Sequence, residues 1–234
     1  MTPRISAERL LGDLAELARI GGRRDGGVDR VAGSEADLEA RRWLAGRMAA
    51  AGLEARQDEI GNVFGRSPGS SGPWLLLGSH TDTVPAGGRL DGAYGVIAGL
   101  EVIRTLREAG HPAADRLEVV SFYDEEGVGA GGGLRGSNHL CASPHVAELS
   151  GYLELHIEQG PRLEAEGMEL GVVEGIVGID RWDVVFRGAA NHAGTTPYPM
   201  RRDAGAAAGR LLHRLRALVQ AVDIEMVANI GELA

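Results

Sequence analysis

The stretch "WLLLGSHTDTVPAGGRLDGAYGVIAGLEVIRTLREAG", residues 74–110, reads as a strand, a loop and a helix in succession. Residues 74–79 form an apolar run closed by Gly78 and Ser79, of strand length and bounded by turn residues. Residues 95–110 carry apolar side chains at helical spacing and stop at Gly110. Between the two, His80, Asp82 and Asp91 stand among glycines and threonines. A buried strand that ends in an imidazole and two acids points to a site at its carboxyl end.

The same grammar recurs downstream. "LEVVSFY" 117–123 and "YLELHIE" 152–158 are further short apolar runs, and with the helix between the first two they make β-α-β units. Such units predict an α/β fold in which a mostly parallel sheet is flanked by helices. Upstream, Ser6 precedes a stretch with Leu10, Leu11, Leu14 and Leu17 at helical spacing. Ser34, with Asp37 three places on, opens a second helix that Gly52 ends. From about residue 178 the texture changes. "DRWDVVFRGA" 180–189 alternates as a strand with one wet face does, 201–222 reads as a helix packed on it, and "IEMVANIGELA" begins another strand. The expected division is a metal-binding catalytic domain over 1–177 and part of a smaller α+β lid or dimerisation domain over 178–234.

Composition narrows the class. The 33 acids outnumber the 24 lysines and arginines for a net charge of −9, and no basic run is present to follow a phosphate backbone, so nucleic acid is not the expected partner. No apolar run approaches the roughly 20 residues that span a bilayer, and residues 1–20 are amphipathic and contain acids, unlike a signal peptide. With a single cysteine, Cys141, read as a small buried side chain, the expected compartment is the cytoplasm.

Ligands in open α/β sheets bind beyond the carboxyl ends of the strands. Three strands here deliver candidates at that end: His80; Asp124, Glu125 and Glu126; and His156 with Glu158. Asp91 joins them from the Gly-rich loop that leads into the helix. Taken singly, each has an ordinary reading as a turn residue or a solvated acid. Jointly they do not, because three adjacent acids after a buried strand repel one another unless a cation neutralises them. Imidazole and carboxylate without thiolate suit Zn, Mn, Co or Ni. His111, His139, His145 and His213 lack such acidic company in sequence. "GVGAGG" 127–132 matches a dinucleotide-binding pattern, with Glu148 at the distance of a ribose-binding acid. The acids beside it and the weak helical character of "LRGSNHLCASPH" speak against that reading.

At this point the motifs carry a resemblance. "GSHTDTVPAGGRLDGAYGVIAGLEV", "YDEEG", "YLELHIEQGPRLEAEG" and "ANHAGTTPYPMRRDA" are similar, in order and character, to the hydantoinase/carbamoylase-type amidases of the M20 metallopeptidase superfamily. That group includes N-carbamoyl-L-amino-acid hydrolases, allantoate amidohydrolases and β-ureidopropionases. The likeness runs from "LGDLAELARIGG" through "GNVFGR" to residue 234, and "HIEQGP" and "NHAGTTP" belong to the amidase branch rather than the peptidases.

The resemblance implies a site with two divalent metal ions. His80, Asp91 and His156 would hold one; Asp91, bridging, and Glu126 would hold the other. Asp82 would orient the His80 imidazole from behind, and Glu125 would be the general base. Gln159, His192 and Asn191 would bind substrate, with His192 reaching the active site of a partner subunit in a homodimer. It also implies that this chain stops short: the family's last ligand histidine and its carboxylate-binding arginine would fall beyond residue 234, leaving the second metal site incomplete, and 138–151 is shorter than the matching family segment. The expected activity is hydrolysis of a linear amide or ureido C–N bond, with an N-carbamoyl-L-amino acid as substrate and allantoate as the nearest rival. The alternative from another class is an inactive truncated relative that acts only as a dimerising interaction module.

Overall fold

The computed structural model describes residues 2–129 and 132–233. The chain divides into two compact units, Met1–Gly171 and Val172–Ala234, so the division falls six residues before the 177/178 boundary drawn from sequence.

The first unit opens with two capped helices. In α1 (Ala7–Leu17) the Ser6 hydroxyl accepts the Arg9 N–H, and in α2 (Glu35–Ala50) the Ser34 hydroxyl accepts the Asp37 N–H, both at 3.2 Å. A short hairpin follows, β1 (Glu54–Gln57) and β2 (Val63–Arg66). Then come β3 (Trp74–His80), α3 (Ala93–Glu108), β4 (Leu117–Phe122), α4 (Arg135–Ala142), β5 (Leu149–Leu153) and α5 (Arg162–Glu166).

The strands form one sheet in the order β1-β2-β4-β3-β5. β3 lies parallel to both β4 and β5, which is the expected β-α-β core. The unassigned hairpin adds to its other side, with β2 antiparallel to β4. Leu77 and Val119, paired in register, pack with Leu14, Leu44, Ile97 and Leu100 under α1, α2 and α3. Their neighbours Leu76 and Val120 point to the opposite face and pack with Phe64, Phe122 and Leu140. Both faces of the central strands are thus covered, which is why they read as continuous apolar runs rather than alternating ones.

Several sequence-based expectations are corrected. β5 ends at Leu153, so residues 154–158 leave the sheet instead of continuing the strand, and the His156 side chain is about one-third exposed. The segment judged a weak helix does form α4. Its first N–H groups are already used, with Leu134, Arg135 and Gly136 donating to the carbonyls of Glu125, Asp124 and Tyr123, so they hold a turn and not a phosphate. Residues 130 and 131 of the "GVGAGG" pattern lie outside the described residues. Cys141 is exposed, because the buried face of α4 is set by Gly136 and Leu140. His145 has acidic company after all: its Nε2 lies 2.6 Å from Glu118 and its Nδ1 3.2 Å from Glu148. Glu118 sits on β4, a contact that sequence spacing does not show.

In the second unit, α6 (Ala204–Gln220) begins where the Asp203 carboxylate accepts the Ala206 N–H at 3.0 Å. The expected strands over 180–189 and from 224 onward are not formed among the described residues. A strand needs a neighbour for its backbone hydrogen bonds, and no ladder partner lies beside these segments. No described helix is long and apolar enough to cross a membrane.

Candidate metal centre

β3 ends at His80, whose ring is buried. The ring Nδ1 lies 3.0 Å from the main-chain carbonyl of Asp82. A carbonyl can only accept, so Nδ1 carries the proton and the Nε2 lone pair is left facing the centre. His156 repeats the arrangement, with Nδ1 2.7 Å from the carbonyl of Ile157 and Nε2 3.2 Å from Asp91 Oδ1. His80 Nε2 lies 4.0 Å from the same oxygen. Among the described residues, His80, Asp91 and His156 each place one donor atom within 4.8 Å of the others.

Local backbone chemistry explains the convergence. Gly92 follows Asp91 at φ +61°, and a Cβ there would lie 2.5 Å from the His80 ring. Only glycine lets α3 start this close to the imidazole. Asp124, buried and at φ +51°, turns the chain sharply after β4. Its carboxylate accepts from the Gly129 N–H at 3.2 Å and pairs with Arg135 at 3.5 Å, so this acid builds the turn. The next two residues then present their N–H groups to the Asp82 carboxylate, Glu125 at 3.3 Å and Glu126 at 3.2 Å.

Asp82 acts through both its carbonyl and its carboxylate. Its carboxylate is 3.6 Å from His80 Nδ1, whereas its carbonyl is at 3.0 Å; the carbonyl holds the ring and the carboxylate holds the 125–126 turn. Glu158 is not part of the centre, since its carboxylate accepts the N–H groups of Arg162 and Leu163, both at 3.1 Å, at the start of α5. Gln159 donates through Nε2 to the free oxygen of Asp91.

Glu125 reaches within 3.6 Å of His80 Nε2. Burial raises its pKa, with His80 opposing and the charges of Asp82, Glu154 and Asp91 adding to the rise. Burial likewise raises Glu126, with His80 opposing and Asp91, Glu125 and Asp82 reinforcing it. Glu126 therefore shares this electrostatic neighbourhood, although it stands outside the group of three converging donors. In the second unit, His192 Nδ1 accepts from the N–H groups of Gly194 and Thr195 at 3.1 and 3.2 Å, which puts its proton on Nε2; Asn191 beside it is exposed.

The donor set fits a cation. Two ligands about 2.0–2.1 Å from a tetrahedral ion stand about 3.3 Å apart. The 3.2 Å separation of His156 and Asp91 meets that spacing, and the 4.0 Å of His80 and Asp91 is slightly wider. Both imidazoles have the outer nitrogen tied to a carbonyl and the inner one directed at a shared carboxylate, the usual support for a metal-binding histidine.

The model of peptidase family M20/M25/M40 matches residues 76–231. The chain belongs to that family. M20 proteins are metal-dependent, in keeping with the His/Asp group of this member. Among its relatives, the allantoate amidohydrolase of Bacillus subtilis is 35% identical over 91% of this chain, and the N-carbamoyl-L-amino-acid amidohydrolase of Pseudomonas sp. NS671 is 32% identical over 100%. The crystal structure of a hydantoinase/carbamoylase family amidase from Burkholderia ambifaria superposes with a TM-score of 0.74 at 35% identity, covering 97% of this chain and 64% of that one. The chain spans 60% and 66% of the length of the two curated relatives.

Two residues of this M20 site escaped the sequence reading. Arg30 is fully buried and donates to the carbonyls of Thr81, Leu17 and Ile20, which braces the segment that follows His80. Glu154 accepts from Ser79 and Tyr152 beside the centre. No local signal marks Arg30; for Glu154 the only hint is its place two residues before His156.

Proposed function

We propose that this chain carries the site of a metal-dependent amidohydrolase cleaving a linear amide or ureido C–N bond, with an N-carbamoyl-L-amino acid as substrate and allantoate as the rival. The observation that carries this reading is the pair of imidazoles, each locked through Nδ1, facing one Asp91 carboxylate with Glu125 alongside. The names of the two curated relatives support the choice of a carbamoyl or ureido substrate over a peptide.

In this reading His80, Asp91 and His156 would hold a first divalent cation, and Asp91 and Glu126 would contribute to a second. Zn, Mn, Co and Ni all suit these ligands. A bound cation supplies Lewis acidity, which lowers the pKa of water and polarises a carbonyl.

The chain's own groups do the rest. Glu125 takes a proton from the attacking water as its oxygen adds to the carbonyl carbon. The same carboxyl returns that proton to the departing nitrogen as the C–N bond breaks. His192, with its proton on Nε2, donates to the carbonyl oxygen as negative charge builds there, and in the proposed homodimer it does so across the subunit boundary. Gln159 holds Asp91 with its amide N–H and keeps its carbonyl oxygen as an acceptor for a substrate N–H. Asn191 shapes the His192 loop. From an N-carbamoyl amino acid the products are the amino acid, carbon dioxide and ammonia.

The test is a substrate panel of N-carbamoyl-L-amino acids, allantoate and dipeptides with each of the four metals, run on the wild type and Glu125→Gln. Metal-dependent release of ammonia from a ureido substrate, lost by about 10²-fold or more in the variant, is expected. Preference for dipeptides, or full turnover by Glu125→Gln, would overturn the assignment.

A further inference from the structure

The last backbone pairing between β3 and β5 is Leu77 with Leu153. Both ligand histidines lie beyond it, His80 three residues on and His156 likewise three residues on. Something other than the ladder must hold the two exits in register.

Glu154 occupies that gap. One carboxylate oxygen accepts the hydroxyl of Ser79, the residue before His80. The other accepts the hydroxyl of Tyr152 at 2.8 Å, and the same hydroxyl lies 3.1 Å from the carbonyl of Gly78. From the other side α3 presses against both exits at Gly95, where a Cβ would meet the Leu155 carbonyl at 2.5 Å and the Ser79 Cβ at 3.0 Å. An exposed glutamate on a chain exit has no need of two hydroxyl donors for its own sake, because water serves it as well.

We propose that Glu154 is a positioning residue: by clasping Ser79 and Tyr152 it fixes the spacing of His80 and His156 and so the fit of the metal centre. This inference rests on the metal-site reading above. Glu154 touches neither the cation nor the substrate; it acts through the strands that carry the ligands. Partners of this kind, one step behind the ligands, change metal affinity by about 10–100-fold when removed.

The experiment measures Zn²⁺ and Mn²⁺ affinity of the metal-free chain by competition with a chromogenic chelator, together with its thermal midpoint. Glu154→Ala is expected to weaken binding by about 10–100-fold while moving the midpoint by no more than about 3 °C. Glu154→Gln, whose amide oxygen still accepts the Ser79 hydroxyl and whose N–H can donate to the Tyr152 hydroxyl as that turns to the Gly78 carbonyl, is expected to stay within about threefold of the wild type. Ser79→Ala is expected to weaken binding in the same direction, and it carries the test alone should Glu154→Ala not fold. Wild-type affinity in Glu154→Ala or in Ser79→Ala would overturn the proposal. Equal weakening by Glu154→Gln and Glu154→Ala would overturn it too, because charge and not the clasp would then matter. Absence of binding by the wild-type chain would instead remove the metal-site reading and the inference with it.

Discussion

The Nδ1–H of His80 donates to the main-chain carbonyl of Asp82, while the Asp82 carboxylate accepts the N–H groups of Glu125 and Glu126. One residue thus sets two things separately, the ring of a proposed ligand and the turn that carries Glu125 and Glu126. Asp82→Ala keeps the carbonyl and loses only the second. It is expected to lower kcat by about 10²-fold through misplacement of Glu125 and to leave metal affinity within about threefold. Steady-state kinetics and metal titration check this. A fall of about 10–100-fold in metal affinity would mean that the carboxylate orients the ring after all.

Gly92→Ala places a methyl group against the His80 ring at a backbone angle that disfavours alanine. Either the ring or the start of α3 must shift, and Asp91 moves with the latter. Metal affinity is expected to fall by at least about tenfold with the far-ultraviolet circular dichroism unchanged. Wild-type affinity in this variant would show that the close approach of α3 does not shape the centre.

Arg30→Met removes a fully buried guanidinium and takes the side-chain donor from the carbonyls of Ile20 and Thr81, while the Leu17 carbonyl still accepts the Ile20 N–H. Each orphaned acceptor costs about 1–3 kcal/mol, so urea denaturation is expected to show a loss of about 2 kcal/mol or more. A loss below about 1 kcal/mol would mean that water replaces the guanidinium at little cost.

Glu101 supplies a pH dependence away from the metal centre. Burial pushes its pKa up, but hydrogen bonds from Arg9, the Ser6 N–H and Thr105 outweigh burial and leave it below the ordinary glutamate value. A carboxyl depressed in the folded state binds its proton more weakly than in the unfolded chain. Its stabilisation is therefore present above the unfolded value of about 4.3 and is lost as pH falls through the folded one. Glu101→Gln is expected to cost about 1.5–3 kcal/mol at about pH 7, and the gap to the wild type is expected to narrow at about pH 3. A gap that stays constant with pH would show that packing, not ionisation, carries the effect.

The parts of the fold visible in sequence were those fixed by local periodicity. Ser6 and Ser34 mark helix starts through their own hydroxyls, and residues 74–79 and 117–123 are apolar because both faces of β3 and β4 are covered. The β1–β2 hairpin was not visible, because its contacts run between strands and not along one: Arg56 of β1 lies over Phe64 of β2 and Arg66 over Trp74 of β3, with guanidinium carbons 4.0 and 4.2 Å from the ring centres. A four-residue strand with an arginine in it gives little pattern to read. The strand expected over 180–189 had the right alternation, but alternation is a property of one segment whereas a strand is a property of two.

The candidate site divides in the same way. His80, Asp91 and His156 were legible because each stands at, just after or just before an element that periodicity reveals, and the structure brings one donor atom of each within 4.8 Å of the others. The division of labour inside Asp82 was not, since carbonyl and carboxylate belong to one letter. Arg30 and Glu154 act through contacts 51 and 75 residues away in sequence, with Thr81 and Ser79, which no local rule reports.

The central claim is that the inner nitrogens of His80 and His156 and a carboxylate oxygen of Asp91 hold one divalent cation. Anomalous diffraction from crystals grown with Zn²⁺ tests it most directly. A peak about 2.0–2.2 Å from all three atoms is the predicted result. A peak bound elsewhere on the chain, or one that leaves out either histidine, would contradict the account.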